Sequence, residues 1–90
     1  MQIFQTTAFS KAVKKLHANQ KKYLDKAVKA IMADPDIGDA KMGDLAGVFV
    51  YKFNMVKQLT LLAYTCDNKK LILTLLALGS HENFYRDLKR

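Results

Sequence analysis

The sequence predicts an α+β fold in which an N-terminal helical hairpin packs on a small antiparallel β-sheet and a short C-terminal helix ends the chain. Three observations predict it: two helical patterns before residue 34, β-prone segments between residues 48 and 78, and a Gly-Ser break before a last helical pattern. Ninety residues fit one domain, residues 1–90, and half of them are hydrophobic, which is sufficient for a core.

The two N-terminal helical patterns each carry one apolar stripe. Thr6 or Thr7 can cap the first helix, because a hydroxyl oxygen accepts from a free backbone N–H. The residues on its apolar face recur at helical spacing: Phe9, Ala12, Val13 and Leu16. After a break at residues 17–19, the pattern restarts with Leu24, Ala27, Val28, Ile31 and Met32. Asp34-Pro35 ends the second helix, since the residue before proline avoids the α region. The lysines fall on the outer side of this hairpin.

The remaining segments are typical of strands. Residues 2–5 can form a short opening strand, and residues 48–53, 58–66 and 71–78 predict three antiparallel strands. Turns are expected at residues 54–57 and 66–70, where Asp67 and Asn68 tolerate positive φ.

The last two strands are apolar on both faces. Leu71, Leu73 and Leu75 are expected on one face, and Ile72, Leu76 and Leu78 on the other. An antiparallel sheet with one wet face would alternate apolar and polar residues. Because one helical hairpin covers one face, we expect the chain end or a second protein to cover the other.

The composition restricts the classes of function. Fifteen Lys and Arg against eight Asp and Glu give a net charge of +7, which favours a polyanion or an acidic protein as partner. One cysteine, Cys66, excludes an internal disulfide and fits a reducing cytoplasm. Neither a signal peptide nor an apolar run of about 20 residues is found. No triad, phosphate loop or paired metal ligands occur, so no cofactor or metal is expected.

The last ten residues form a candidate reactive cluster. A helix over residues 81–89 would place His81, Phe84, Tyr85 and Leu88 on one face, with Arg86 beside it. RNA cleavage through the 2′-hydroxyl needs proton carriers and cations, and histidine, tyrosine and arginine supply both. The same spacing equally fits a helix that packs on the sheet with its polar tips exposed.

Two lysines near the strands are candidate phosphate-binding residues. Lys52 interrupts an apolar strand, and Lys57 precedes the next. Both are expected on the sheet near the chain end. His17, at the break between the helices, is expected to be a surface or capping residue.

The order of elements and several residues resemble the RelE/ParE superfamily of bacterial toxins from type II toxin–antitoxin modules. The residues that carry the resemblance are Leu45 and Gly47, the pair Tyr51-Lys52, Tyr64, the apolar strand 71–78, and Gly79-Ser80-His81. The resemblance covers most of the chain and is densest over residues 43–90.

The resemblance implies a toxin that arrests bacterial growth until an acidic antitoxin neutralises it. It implies that the antitoxin covers the second sheet face and that the pair represses its own operon, with the antitoxin making most of the contacts to operator DNA. RelE-like members enter the ribosome and cleave mRNA. For such a member, His81 is the proton-transfer group, Tyr85 orients it, and the phosphate is held by Arg86, Lys52 and Lys57.

Two alternatives remain open from the sequence. ParE-like members inhibit DNA gyrase and are not nucleases. Leu61 and Leu62 stand where nuclease members usually carry an arginine, and Lys52 replaces another arginine, which favours the gyrase inhibitor. Such an inhibitor could bind through the lysine-backed hairpin, residues 11–29, or through the chain end. A protein that only binds its antitoxin is the third alternative.

Overall fold

The fold consists of two helices on one face of a five-stranded sheet, in a computed structural model that describes residues 2–67 and 69–80. The elements follow in the order β1 Gln2–Gln5, α1 Thr7–Lys14, α2 Ala18–Ala33, β2 Asp39–Ala40, a 3₁₀ turn Gly43–Leu45, β3 Phe49–Met55, β4 Gln58–Asp67 and β5 Ile72–Gly79. The predicted α+β class, both helices and the order of the strands are confirmed. The predicted C-terminal helix lies outside the described residues.

α1 begins and α2 ends where the sequence predicts, whereas α2 already begins at Ala18, inside the predicted break at residues 17–19. Thr6 caps α1, and its hydroxyl oxygen accepts from the N–H of Phe9 at 3.1 Å. His17 is the N-cap residue of α2, where its own N–H donates to the side-chain oxygen of Gln20 at 2.8 Å. The helix stops at Asp34, directly before the proline. No helix within the described ranges is long and apolar enough to cross a membrane.

The sheet is mixed, with strand order β1-β5-β4-β3-β2. β1 runs parallel to β5, whereas the other neighbours are antiparallel. The prediction of a purely antiparallel sheet is therefore wrong. A four-residue strand carries no sequence signal for its partner. Its position is fixed by the chain that follows it, since Thr6 N–H donates to the carbonyl of Leu75 at 3.0 Å.

A bulge in β5 changes which side chains face the helices. Ala63 pairs with Ala77 but Tyr64 pairs with Leu75, so Leu76 is the extra residue. Leu78 consequently packs on the same side as Leu75, and the prediction that it faces away is wrong. The Thr6 hydroxyl donates to the carbonyl of Leu76 at 2.6 Å, so the N-terminal segment supplies a hydrogen-bond donor to the backbone of the bulged residue.

The sheet separates two groups of buried side chains. The near face, which the helices cover, carries the larger core: Phe9, Leu24, Ala27, Ile31, Met55, Leu62, Tyr64, Leu73 and Leu75. The opposite face, called the far face below, carries Val50, Leu61 and Ala63, with Val48, Leu76 and Ala77 packed against them. Val50, Leu61 and Ala63 are at most 1% exposed. The centre of the far face therefore needs no second protein to bury it.

Candidate functional site

Lys52 is the one cation that the described strands place on the far face. The register puts Leu61 of β4 beside it and Gly79 of β5 beyond Leu61, so the three residues form a row across the sheet. Neighbouring strands are about 4.8 Å apart, which puts the Lys52 and Gly79 Cα atoms about 10 Å apart. The exposed Lys52 side chain thus shares a face with the point where β5 ends.

The centre of this row is apolar. Leu61 is fully buried on the far face, and Leu62 is fully buried in the near-face core. Leu61 and Leu62 stand where nuclease members of the RelE/ParE superfamily usually carry an arginine, so these two positions contribute no polar group to the row. Of the candidate residues that the structure describes, only Lys52 can contact an anion over the row.

Lys57 lies in the tight turn between β3 and β4, within the segment 54–57 where a turn was predicted. The turn consists of Val56 and Lys57, with Met55 and Gln58 paired on either side. Both turn residues have positive φ, 50° and 67°. From Lys52 to Met55 the strand already advances about 10 Å, so the structure does not bring Lys57 next to Lys52. Positive φ is unfavourable for the β-branched Val56, which is 42% exposed.

Tyr64 anchors the loop after α2 to the centre of the sheet. Its ring is fully buried and stacks on Phe49, with 5.5 Å between the ring centroids. Its hydroxyl donates to the carbonyl of Pro35 at 2.6 Å and accepts from the N–H of Gly38 at 3.0 Å. A Cβ at Gly38 would lie 2.8 Å from the hydroxyl oxygen. The anchor therefore requires both the tyrosine and the glycine.

The electrostatic setting keeps Tyr64 neutral. Burial raises the pKa of its phenol, and the carboxylates of Asp36 and Asp34 raise it further, while the hydrogen bond from Gly38 lowers it. A neutral phenol with both hydrogen bonds made is a structural group. Sequence reasoning assigned Tyr64 only to the family pattern. The available signal was a lone tyrosine in an apolar strand, because a buried hydroxyl needs partners.

An apolar groove of about 340 Å³ opens between β1 and the two helices. Its lining comes from β1, both helices and β5 and is mostly apolar: Ile3, Phe9, Val13, Leu24, Val28, Met32 and Leu75, with Gln5, Asp25 and Lys29 as the polar members. Ile3 is 40% exposed and Met32 is 39% exposed. β1 is also an edge strand, so backbone groups and apolar surface lie side by side. Sequence reasoning missed this groove, since it forms only when β1 joins the sheet.

The remaining candidates contribute no further site. His81, Tyr85 and Arg86 lie outside the described residues. Burial raises the pKa of the Cys66 thiol, with Asp67 and Asp36 adding to the effect, which disfavours the reactive thiolate form. Across residues 2–67 and 69–80, no cluster of three metal-ligating side chains occurs.

The family of the chain follows from a comparison with family models. Residues 3–89 match the model of the ParE-like toxin of type II bacterial toxin–antitoxin systems. The chain belongs to this toxin family. No curated protein has a sequence that matches the toxin.

Solved toxins share the fold at low sequence identity. The toxin is similar to a chain of the intact E. coli RelBE toxin–antitoxin complex, with a TM-score of 0.72, 17% identity, and 90% of this chain and 96% of that chain covered. It is similar to a chain of the RelBE2 toxin–antitoxin complex from Mycobacterium tuberculosis, with a TM-score of 0.68, 19% identity, and coverage of 89% and 96%. A YoeB/ParE toxin from Agrobacterium tumefaciens gives a TM-score of 0.69 at 14% identity, with 90% and 99% covered. These similarities show the fold.

Proposed function

We propose that this toxin arrests growth by cleaving mRNA on the ribosome. The observation that carries the proposal is the row formed by Lys52, Leu61 and Gly79. It places an exposed cation on the face where β5 ends, two residues before His81 in the sequence. A phosphodiester bound over this row has the Lys52 ammonium on one side. The segment that carries His81, the candidate proton carrier, continues from Gly79 on the other side.

The proposed reaction uses three kinds of group. A base removes the proton of the 2′-hydroxyl, its oxygen attacks the phosphorus, and the bond to the 5′-oxygen breaks as that oxygen takes up a proton. His81 transfers protons, and Tyr85 orients it. Lys52 and Arg86 stabilise the charge on the phosphate oxygens. Lys57, which lies in the neighbouring turn, binds RNA outside the cleaved bond.

The test compares the toxin with single variants on translating ribosomes. Lys52→Gln is expected to slow mRNA cleavage by roughly 10- to 1,000-fold, in the range found when one transition-state donor is removed. His81→Ala combined with Tyr85→Phe is expected to abolish cleavage. Lys70→Gln removes the same charge from the exposed turn before β5 and is the matched control. Cleavage that is equal in Lys52→Gln and in the control refutes the role of the row.

One observation favours a gyrase inhibitor as the second candidate. Leu61 fills the centre of the row with a buried apolar side chain, which leaves Lys52 as the sole described cation there. A protein that binds gyrase needs no phosphate site. Measuring which synthesis stops first after induction separates the candidates: arrested translation supports mRNA cleavage, whereas arrested DNA synthesis supports gyrase.

We further propose that the groove beside β1 binds the antitoxin. The groove is apolar and partly exposed, β1 offers a free edge, and the net charge of +7 favours an acidic segment. This replaces the far face as the expected binding surface, because the centre of the far face is already buried. The same complex is proposed to bind its operator through the antitoxin.

Substitutions in the groove test this binding site. Ile3→Asp is expected to weaken capture of the antitoxin by at least tenfold, because a carboxylate would be buried against an apolar and acidic partner. Leu59→Asp is the control, since Leu59 is 45% exposed and lies on β4 away from the groove. Equal loss of antitoxin binding in both variants excludes the groove.

A further inference from the structure

The outward side of the helical layer carries a dense field of exposed lysines. Those of α2 form a stripe at i, i+4 and i+7, which is one side of a helix. The stripe consists of Lys22, Lys26 and Lys29, with Lys21 adjacent. α1 and the residue that caps its end add three more exposed lysines: Lys11, Lys14 and Lys15.

These lysines are not neutralised within the described chain. None of the seven forms an ion pair with a described residue. Lys22 and Lys26 are four residues apart on one helix face, where like charges destabilise the helix by about 0.2–0.5 kcal/mol. This pair of like charges therefore does not stabilise α2, and the charges are available to an external anion.

An aromatic ring lies within the stripe. Tyr23 is 43% exposed, and the Lys26 ammonium lies 5.8 Å from the centroid of its ring. A hollow of about 370 Å³ is lined by Lys22, Tyr23, Asp25, Lys26 and Lys29. Cations beside an exposed ring fit a nucleic-acid strand, because the cations bind phosphates and the ring stacks on a base.

The length of the stripe fits a nucleic-acid backbone. Seven residues from Lys22 to Lys29 advance about 10 Å along the helix. Each strand of B-form DNA rises 3.4 Å per nucleotide, and on this scale the stripe spans roughly three phosphates of a nucleic-acid strand. Lysine ammonium groups contact phosphates as point charges without reading the bases. The expected contact is therefore independent of sequence.

We propose that the outward face of α2 binds structured RNA, with Lys22, Lys26 and Lys29 on its phosphate backbone and Tyr23 stacked on an unpaired base. This surface and Lys52 lie on opposite sides of the sheet, since α2 packs on the near face and Lys52 lies on the far face. The α2 face holds the toxin on one RNA, while the Lys52 row acts on another strand. The inference rests on the proposed function in taking RNA as the target.

The experiment titrates a fluorescent 20-nucleotide hairpin RNA with the full chain carrying His81→Ala, so that the RNA stays intact. Lys22→Gln with Lys26→Gln is expected to weaken binding at least tenfold and to reduce the slope of log Kd against log salt by about 2. Tyr23→Leu keeps the charge and is expected to weaken binding roughly tenfold through lost stacking.

The matched control is Lys69→Gln with Lys70→Gln, which removes the same charge from the exposed turn before β5. Equal losses in both lysine pairs would show that net charge alone binds RNA, and would overturn the proposal. So would unchanged RNA binding by the α2 pair, or an α2 pair that weakens binding only to the antitoxin. Circular dichroism of each variant confirms folding.

The proposed function and the inference about the α2 face can be refuted independently of each other. Lys52→Gln is expected to weaken the hairpin titration less than Lys22→Gln with Lys26→Gln does, while it slows cleavage on ribosomes. Arrested DNA synthesis in cells refutes mRNA cleavage, whereas the α2 face is decided by the RNA titration alone.

Discussion

Removing the hydroxyl of Tyr64 tests whether the loop after α2 depends on a single buried group. The substitution Tyr64→Phe keeps the ring and its stacking on Phe49. It removes the donor to the carbonyl of Pro35 and the acceptor for the N–H of Gly38. Both backbone groups then lose their partner in the core.

The expected cost follows from these two hydrogen bonds. Each net hydrogen bond contributes about 1 kcal/mol, and leaving a buried partner unsatisfied costs about 1–3 kcal/mol. Pro35 and Gly38 are half-buried, so water reaches them in part and reduces the penalty. We expect the free energy of unfolding to fall by about 2 kcal/mol, which lowers Tm by about 8–16 °C in a domain of this size.

Urea unfolding followed by circular dichroism measures this change through the midpoint at constant slope. Tyr51→Phe is the matched control: Tyr51 is half-buried on β3 and stacks on Phe53, and within the described chain its hydroxyl makes no hydrogen bond. A loss in Tyr64→Phe no greater than in the control refutes the anchor, because the ring alone would then hold the loop.

Four further predictions use the same unfolding assay. Above pH 10 the stability advantage of the wild type over Tyr64→Phe is expected to shrink: the folded pKa is raised, so the contribution is complete below pH 9 and is lost as the pH rises through the folded pKa. A constant difference up to pH 11 would contradict this. Gly38→Ala is expected to cost about 1–2 kcal/mol in the wild type through the 2.8 Å approach of its Cβ to the hydroxyl, and clearly less in the Tyr64→Phe background; additive losses would disprove the contact. Thr6→Val is expected to lower the free energy of unfolding by about 1–3 kcal/mol, because it loses the helix cap and the hydrogen bond to the bulge. Thr6→Ser keeps both hydrogen bonds and is the control. Equal losses of stability in the two variants would rule out a role for the hydroxyl. Val56→Asn with Lys57→Gly is expected to raise the free energy of unfolding by about 1 kcal/mol, since both positions have positive φ. An unchanged unfolding midpoint would argue against backbone strain in this turn. The same variant is expected to slow RNA cleavage if Lys57 binds RNA.

The local elements of this fold could be predicted because their signals are short in sequence. The hydroxyl of Thr6 caps α1, and Asp34-Pro35 ends α2. The last two strands follow from continuous apolar runs bounded by turn residues. Each of these signals acts within a few residues.

The pairing of the sheet could not be predicted from such signals. β1 has four residues and joins β5 through a contact between residues 2 and 72. The bulge at Leu76 shifts the alternation by one residue, and the carbonyl there accepts a hydrogen bond from Thr6, seventy residues away in the sequence. Counting alternate residues along β5 without the bulge therefore assigned the Leu78 side chain to the wrong face of the sheet.

The candidate site was predicted in part. An isolated lysine in an apolar strand pointed to Lys52, and the structure places it on the far face, where it is the one cation of the described strands. The turn at residues 54–57 was predicted, but its Val-Lys pair with positive φ is not a typical turn sequence, and Lys57 does not lie on the sheet beside Lys52 as expected. The groove beside β1 was missed, since it depends on elements that meet only in the folded chain.

The pairing of β1 with β5, the last described strand, also affects when the sheet can form during synthesis. Residues 2–5 leave the ribosome early, but their partner strand begins at residue 72. Until that strand emerges, the bulge, the row and the groove are all unfinished. A nascent chain that lacks β5 therefore cannot complete the sheet, however early its first strand is synthesised.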